Sequence, residues 1–349
     1  MRGNMVRTRV GIVGVSGFSG MELARLLDAH PAFDLVAAAA DRWQGRSLGA
    51  ELPLRGDAAH LVVQPMTDVV ASVERAAIVL LATPAEVSAR LVPELVARGI
   101  RVVDLSGAFR LASPEDYPRW YGFTHPAPDL LREARFGLPE VPAAGGGAPN
   151  LRRARIVANP GCYATAAIVA LAPLLAAGAI EPHVYVDGKS GVTGAGRKAE
   201  ERLMFAEVAE NVSPYRVGNH QHAPEIELAL SRVARREVRV TFAPHLLPVK
   251  RGLICTAFAR LAEGAPAESL HPLLDRFYAS HGQVEVLPPD RVTLARVVGT
   301  TRAAVGVRGD ADRRSVVSIG ALDNLLKGAA SQAVQNLCEM VGVSFDGED

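Results

Sequence analysis

A chain of 349 residues with 38 basic and 37 acidic side chains carries a formal charge of +1, without the basic excess that nucleic acids and anionic membranes call for. With 49% apolar and 21% charged residues, it is neither a disordered nor a fibrous sequence. At about 150 residues per domain, the length predicts two domains.

The first element is a strand over Val10-Gly-Ile-Val-Gly-Val15, followed by a helix over Met21–Ala29 with Leu23, Leu26 and Leu27 on one face. The intervening Gly11-Ile-Val-Gly14-Val-Ser-Gly17-Phe-Ser-Gly20 spaces glycine every third residue, a variant of the dinucleotide fingerprint. Glycines let backbone approach a pyrophosphate, and the helix N-terminus supplies N–H groups and a positive dipole end. Gly14, Ser16, Gly17, Phe18, Ser19 and Gly20 are the candidate contacts. A second strand over Asp34–Ala40 ends in Ala40-Asp41-Arg42-Trp43-Gln44-Gly45-Arg46. Asp41 suits the ribose hydroxyls of NAD, and Arg42 or Arg46 suits the 2′-phosphate of NADP. Two arginines so close favour NADP, with Arg42 as the contact.

A third strand over Ala76–Ala82, a helix over Ala85–Arg98 and a fourth strand over Ile100–Leu105 continue the alternation. Strands alternating with helices predict βαβ units and a mainly parallel sheet, buried on both faces. Arg110 follows the fourth strand, at a carboxyl end of the sheet where ligands bind in such folds. The Pro- and Gly-rich stretch 114–150 closes on Gly145–Pro149, an expected exposed turn near a domain boundary.

No charged residue occurs from Ile156 to Ile180, a length that could span a bilayer. Asn159-Pro160-Gly161 at its start, Pro173 within it and an Ala-rich middle argue instead for a turn followed by a buried helix. Cys162 then falls at the helix N-terminus, a position that stabilises a thiolate and makes a nucleophile. Cys255 in an apolar strand and Cys338 in the last helix read as small buried hydrophobes. Three distant cysteines make no disulfide framework and no zinc spacing, and Met1–Val10 lacks a signal-peptide core. A cytoplasmic setting is the expectation.

Further strands over Val184–Asp187, Arg239–Ala243, Gly252–Ala259 and Arg314–Ile319, with longer insertions, predict an α+β second domain. Gly188–Lys198 combines glycines, hydroxyls and cations in an oxyanion cradle. In Gly218-Asn-His220-Gln-His222-Ala-Pro224-Glu225-Ile-Glu227, Pro224 is expected to start a helix, leaving both histidines in the preceding loop. Either could serve Cys162 as acid/base, with Glu225 or Glu227 orienting the imidazole. His30, His60, His271 and His281 read as solvated surface. Leu322–Met340 reads as a long closing helix. Only four of the 38 basic residues are lysines, a bias expected of codon usage, yet Lys189, Lys198, Lys250 and Lys327 all fall in or beside candidate site segments.

Taken in order, GxxGxxGxxG at 11–20, DLSGAFR at 104–110, FGLPEV at 136–141, NPGCYATA at 159–166, SGVTGAGRK at 190–198, GNHQHAPEIE at 218–227, PHLLPVKRG at 244–252 and DNLLKGAASQAVQN at 323–336 resemble the N-acetyl-gamma-glutamyl-phosphate reductases of arginine biosynthesis. These motifs span nearly the whole chain; the wider superfamily is that of the aspartate-semialdehyde dehydrogenases. The resemblance implies an α/β chain: a Rossmann-type NADP-binding domain over 1–158 plus the C-terminal helix 322–349, and an α+β catalytic and oligomerisation domain over 159–321. It implies a Cys162 thioester formed from an acyl phosphate and reduced by NADPH to a semialdehyde. His222 is the favoured general acid/base, with His220 second. Arg110, Asn159, Lys198 and Glu225 would serve the substrate, and Ser190 and Asn324 the nicotinamide. No metal is implied, and a homodimer or homotetramer is expected. The alternatives are a carrier-bound aminoadipyl-phosphate reductase of lysine biosynthesis, a non-catalytic NADP-sensing protein and a cysteine hydrolase.

Overall fold

The structure, a computed structural model, describes residues 7–145 and 151–346. Residues 146–149 of the expected boundary turn lie outside the described residues. The strands are β1 (Thr8–Val13), β2 (Phe33–Ala39), β3 (Ile78–Leu81), β4 (Arg101–Asp104), β5 (Arg135–Phe136), β6 (Ile156–Ala158), β7 (His183–Gly191), β8 (Ser213–Pro214), β9 (Arg239–Leu247), β10 (Leu253–Arg260), β11 (Val284–Val286), β12 (Ala303–Asp310) and β13 (Ser315–Leu322). The helices of nine residues or more are α1 (Phe18–Ala29), α2 (Ala85–Ala97), α3 (Cys162–Ala176), α4 (His222–Ala234), α5 (Leu270–Tyr278) and α6 (Ser331–Val341). The chain divides into two compact units, one of residues 1–137, 150–160 and 329–349, the other of residues 138–149 and 161–328.

In the first unit, six parallel strands run in the order β2-β1-β3-β4-β6-β5. The order reverses direction between β1 and β3, and a doubly wound sheet binds its ligand outside the carboxyl ends of the strands at such a point. Residues of α1 and α6 bury Leu23, Leu27, Ala333, Val334 and Leu337 with Ile12 and Leu80. Residues of α2 bury Ala89, Val92 and Leu95 with Val13, Val79 and Val102. Successive residues of β3 point to opposite faces and all are buried, which is why the sequence showed an unbroken apolar run.

The second unit carries a mixed seven-stranded sheet, β11-β12-β13-β10-β7-β9-β8. Helix α3 has every residue from Tyr163 to Leu175 buried. A helix apolar on all sides must be enclosed on all sides, and this accounts for the charge-free stretch. Among the described residues, no helix is long and apolar enough to cross a membrane. At Gly320 of β13, a Cβ would stand 2.3 Å from the Ala166 carbonyl oxygen of α3.

Four local expectations need correction. Pro173 does not interrupt α3: it lies in the last turn, and the helix continues to Ala176. The expected closing helix from Leu322 begins only at Ser331, because Leu322 ends β13 and residues Leu326–Ala330 form a π-helical turn. Gly188–Gly191, read as part of a loop, extends β7 and pairs with Pro244–Leu247. Strands β5, β6, β8, β11 and β12 went unread: β6 precedes the Asn159-Pro160-Gly161 turn in the stretch read as turn and helix, and Ala303-Ala-Val-Gly-Val of β12 lacks the polar alternation of a half-exposed strand and lies buried throughout.

Gly320→Ala is expected to lower stability by about 1–3 kcal/mol through overpacking at this contact. Thermal melting followed by circular dichroism measures it, and an unchanged midpoint would show that α3 can move away.

Candidate active site

The phosphate-type loop is built by close backbone approach. Gly14 adopts φ +88°, and a Cβ there would lie 2.4 Å from the Ala82 carbonyl oxygen, just beyond β3. A Cβ at Gly20 would lie 2.2 Å from the Gly14 carbonyl oxygen. The two glycines thus seat the start of α1 against the ends of β1 and β3. No side chain caps α1 at Gly17, and its first turn holds no acidic residue. Backbone N–H groups and a positive helix end, with no competing carboxylate, suit a pyrophosphate. Ser16, Phe18 and Ser19 are half-buried on this turn. Beyond β2, Arg46 is paired with Glu51. Arg42 is exposed and has no ion pair among the described residues, as does its neighbour Asp41.

On the same unit, Arg110 is buried. Its Nε donates to the Asn159 carbonyl at 2.8 Å and its Nη2 to the Leu105 carbonyl at 2.6 Å. This guanidinium ties together the chain beyond β4 and β6. Asn159 is buried and donates to the carbonyls of Pro160 and Ala329, and its Oδ1 accepts from Asn336.

Cys162 is the first residue of α3, capped by an extended Gly161. Gly161 is enclosed by the first turn of α4. Its N–H donates to Glu225 Oε1 at 2.8 Å, and a Cβ on it would lie 2.2 Å from His222 Nε2. His222 and Glu225 stand three residues apart on one helical face, so a single turn presents both to the residue before the cysteine. This corrects the expected helix start: α4 begins at His222, not Pro224, and only His220 lies in the preceding turn. Pro224 fits within the first helical turn because the N–H it lacks has no intrahelical partner there.

His220 has a different environment. It is buried, its Nδ1 accepts the His222 backbone N–H at 3.1 Å, and its ring meets those of Tyr163, Tyr215, His222 and Phe242. Burial, with the Arg216 charge second, pushes its pKa from 6.5 down to about 4. His220 is therefore a neutral brace at the start of α4. Tyr215, which the sequence reading did not single out, donates to the Tyr163 hydroxyl at 3.2 Å. Burial pushes its pKa up to about 12. Tyr163 in turn donates to the His245 carbonyl at 3.1 Å.

The segment 192–198 beyond β7 is held by the turn between β9 and β10 and by Asn324. Thr193 Oγ1 donates to the Lys250 carbonyl at 2.7 Å and accepts from Asn324 Nδ2 at 2.9 Å, while Asn324 Oδ1 accepts the Gly252 N–H at 2.8 Å. Ser190 is buried and donates to the Gly191 carbonyl, whereas Lys198 is exposed and without an ion pair among the described residues. Asp323, also not singled out, is fully buried. It accepts from Arg251 and from the N–H groups of Leu325, Leu326 and Gly299. The other two cysteines are enclosed: Cys255 in β10 is fully buried, which raises its thiol pKa, and Cys338 in α6 is buried beside His30.

The depressed His220 pKa carries a stability consequence. The unfolded chain takes up a proton near pH 6.5 that the folded chain resists until about pH 4, so stability present above pH 6.5 is lost as pH falls through that window. His220→Asn is expected to flatten this acid limb in denaturant titrations at several pH values. An acid limb as steep as that of the wild type would contradict the buried neutral imidazole.

Residues 9–145 match the family described as semialdehyde dehydrogenase, NAD binding domain, and residues 162–324 match semialdehyde dehydrogenase, dimerisation domain. N-acetyl-gamma-glutamyl-phosphate reductase of Thermus thermophilus is 44% identical, with 96% of each chain covered. The enzyme of that name from Dehalococcoides mccartyi is 40% identical over 98% of this chain and 97% of its own. Among solved structures, aspartate semialdehyde dehydrogenase II from Vibrio cholerae superposes with a TM-score of 0.74 at 20% identity, covering 96% of this chain and 99% of that one. The Candida albicans aspartate semialdehyde dehydrogenase solved with NADP gives 0.71 at 18%, covering 97% and 99%. On these matches the chain belongs to the semialdehyde dehydrogenase family, among the N-acetyl-gamma-glutamyl-phosphate reductases.

Proposed function

We propose that this protein reduces N-acetyl-glutamyl 5-phosphate to N-acetyl-glutamate 5-semialdehyde and phosphate with NADPH, through a thioester on Cys162. The observation that carries the reading is the enclosure of Gly161 by His222 and Glu225, which brings a base and an orienting carboxylate to the residue before the nucleophile. The parallel-sheet unit is assigned to the nucleotide, with Gly14, Ser16, Gly17, Phe18, Ser19 and Gly20 at the pyrophosphate and Arg42 at the 2′-phosphate. Arg42 suits this role because Arg46 is already committed to Glu51. The mixed-sheet unit is assigned to the thioester chemistry.

Cys162 sulfur attacks the acyl carbon as a thiolate, the bond from that carbon to the phosphate oxygen breaks, and phosphate leaves with the electron pair. The nicotinamide, when bound, supplies the hydride that the thioester carbon needs. His222 Nε2 then gives a proton to the alkoxide left by hydride addition and takes it back as the aldehyde carbonyl forms, and Cys162 departs as thiolate. His222 is preferred to His220 for this work because the Nδ1 of His220 is occupied by a backbone N–H. Glu225 holds the Gly161 backbone and, through its helix turn, the His222 ring. Lys198, exposed and without an ion pair among the described residues, is assigned to the substrate's anionic groups. Arg110 and Asn159 are assigned to the substrate side, where their carbonyl and amide bonds stiffen the turn preceding Cys162. Ser190 and Asn324 are assigned to the nicotinamide side, on a loop that Asn324 also anchors.

A second copy of the chain is the proposed partner. On one face of the seven-stranded sheet, Tyr185 and Phe258 are direct cross-strand neighbours, 51% and 46% exposed, flanked by Val317 on β13. Large aromatics standing in register on an open sheet face favour burial against a like surface. The match of residues 162–324 to a dimerisation domain supports a homodimer built here.

Semialdehyde, phosphate and NADP⁺ are expected to generate NADPH absorbance, and Cys162→Ser to lose at least about a thousandfold in kcat. Full activity in Cys162→Ser would exclude the thioester, and a marked preference for aminoadipyl phosphate in the forward direction would replace the substrate. Phe258→Glu is expected to halve the mass measured by sedimentation equilibrium, and an unchanged mass would move the interface elsewhere.

A further inference from the structure

Lys327 and Glu140 form an ion pair with both side chains fully buried. They come from segments 187 residues apart in sequence. Burial lowers the Lys327 pKa, and the adjacent Glu140 charge opposes this shift. Taking two charges out of water is costly, so a sealed pair of this kind is weak support for stability by itself. The pair instead fixes a place. Lys327 belongs to the π-helical turn Leu326–Ala330, and such turns occur often at functional sites. The next residue, Gly328, lies against Cys162: a Cβ on it would stand 2.7 Å from Cys162 Cβ and 3.2 Å from Cys162 Cα. The Gly328 N–H donates to the Asp323 carbonyl at 2.9 Å. The turn is therefore held at the Lys327 ammonium on one side and the Gly328 amide on the other.

We propose that the Lys327–Glu140 pair is a positioning device for the nucleophile: it clamps the π-helical turn so that the Gly328 backbone forms a wall at Cys162 and limits the directions its sulfur can take. Lys327 and Glu140 are positioning residues and touch no reacting atom. Lys327 sets a compact ammonium against the sealed Glu140 carboxylate, where a guanidinium would bring five donors in a planar fork. The inference rests on the reading of Cys162 as nucleophile.

The test compares wild type with the double variant Lys327→Met/Glu140→Gln, which removes both charges at similar volume. Its readouts are thermal midpoint, kcat, KM and the rate of Cys162 alkylation by iodoacetamide in the absence of cofactor. The expected result is a midpoint close to wild type, with kcat reduced by about tenfold or more and KM within about threefold. The alkylation rate is expected to change by at least about threefold, because the sulfur samples other directions. Wild-type kcat and alkylation in the folded double variant would overturn the proposal. Should that variant fail to fold, Glu140→Gln alone and Gly328→Ala, which keeps the pair but fills the contact, carry the same comparison. Wild-type values in both would likewise overturn it. Absence of reductase activity in the wild type would strike the proposed function, while the alkylation rates would still decide this inference.

Discussion

The absence of a side chain at Gly161 is the constraint on which the candidate site depends. A Cβ there would collide with the His222 ring at 2.2 Å, and the same residue's N–H is bonded to Glu225. One glycine thereby sets the distance between the start of α3 and the start of α4. Helix α3 cannot yield, because it is buried along its length and Gly320 lets β13 approach it closely. The start of α4 is braced by His220, whose buried ring also meets Tyr163 of α3 and stays neutral. The proposed nucleophile and base therefore stand on helices whose starts are in close contact, and acyl transfer demands small positional tolerance.

A second theme is the use of buried polar groups to secure loops. Asp323 collects Arg251 and three backbone N–H groups, and Asn324 joins Gly252 to Thr193. Buried polar atoms are costly unless bonded, so each such residue fixes the backbone that satisfies it. Arg110 does the same for the carbonyls of Leu105 and Asn159. Several residues first read as ligand contacts thus have structural bonds as well, and the same side chains can serve both ends.

Much of this was legible in the residues. The glycines at 14, 17 and 20, the N-terminal position of Cys162 on an apolar helix and the grouping of His220, His222 and Glu225 all follow from local chemistry. Helix ends were less legible. Pro224 was taken as the start of α4, but a proline is tolerated throughout the first turn, and the His220 ring supplies an acceptor that starts the helix earlier. The last helix was extended back to Leu322 because apolar spacing continues across β13, the Asp323 hub and the π-helical turn. Nothing in that spacing distinguishes three kinds of backbone. Tyr215 and Asp323 gave no local signal, since their importance lies in partners distant in the chain.

The four lysines mark the division between what sequence and structure decide. The sequence by itself determined that lysine is scarce and confined to motif segments, and that a glycine-rich nucleotide loop, a cysteine at a helix start and a pair of histidines follow one another along the chain. These are matters of local backbone freedom, helix polarity and residue chemistry. Only the tertiary structure decided what each group meets. Lys198 stays in water, whereas Lys327 is sealed against Glu140. His220 is a neutral brace, and the His222 ring abuts Gly161. The physical reason is that burial and ion pairing depend on segments far apart in the chain, and no local pattern records which distant side chain will be brought within bonding distance.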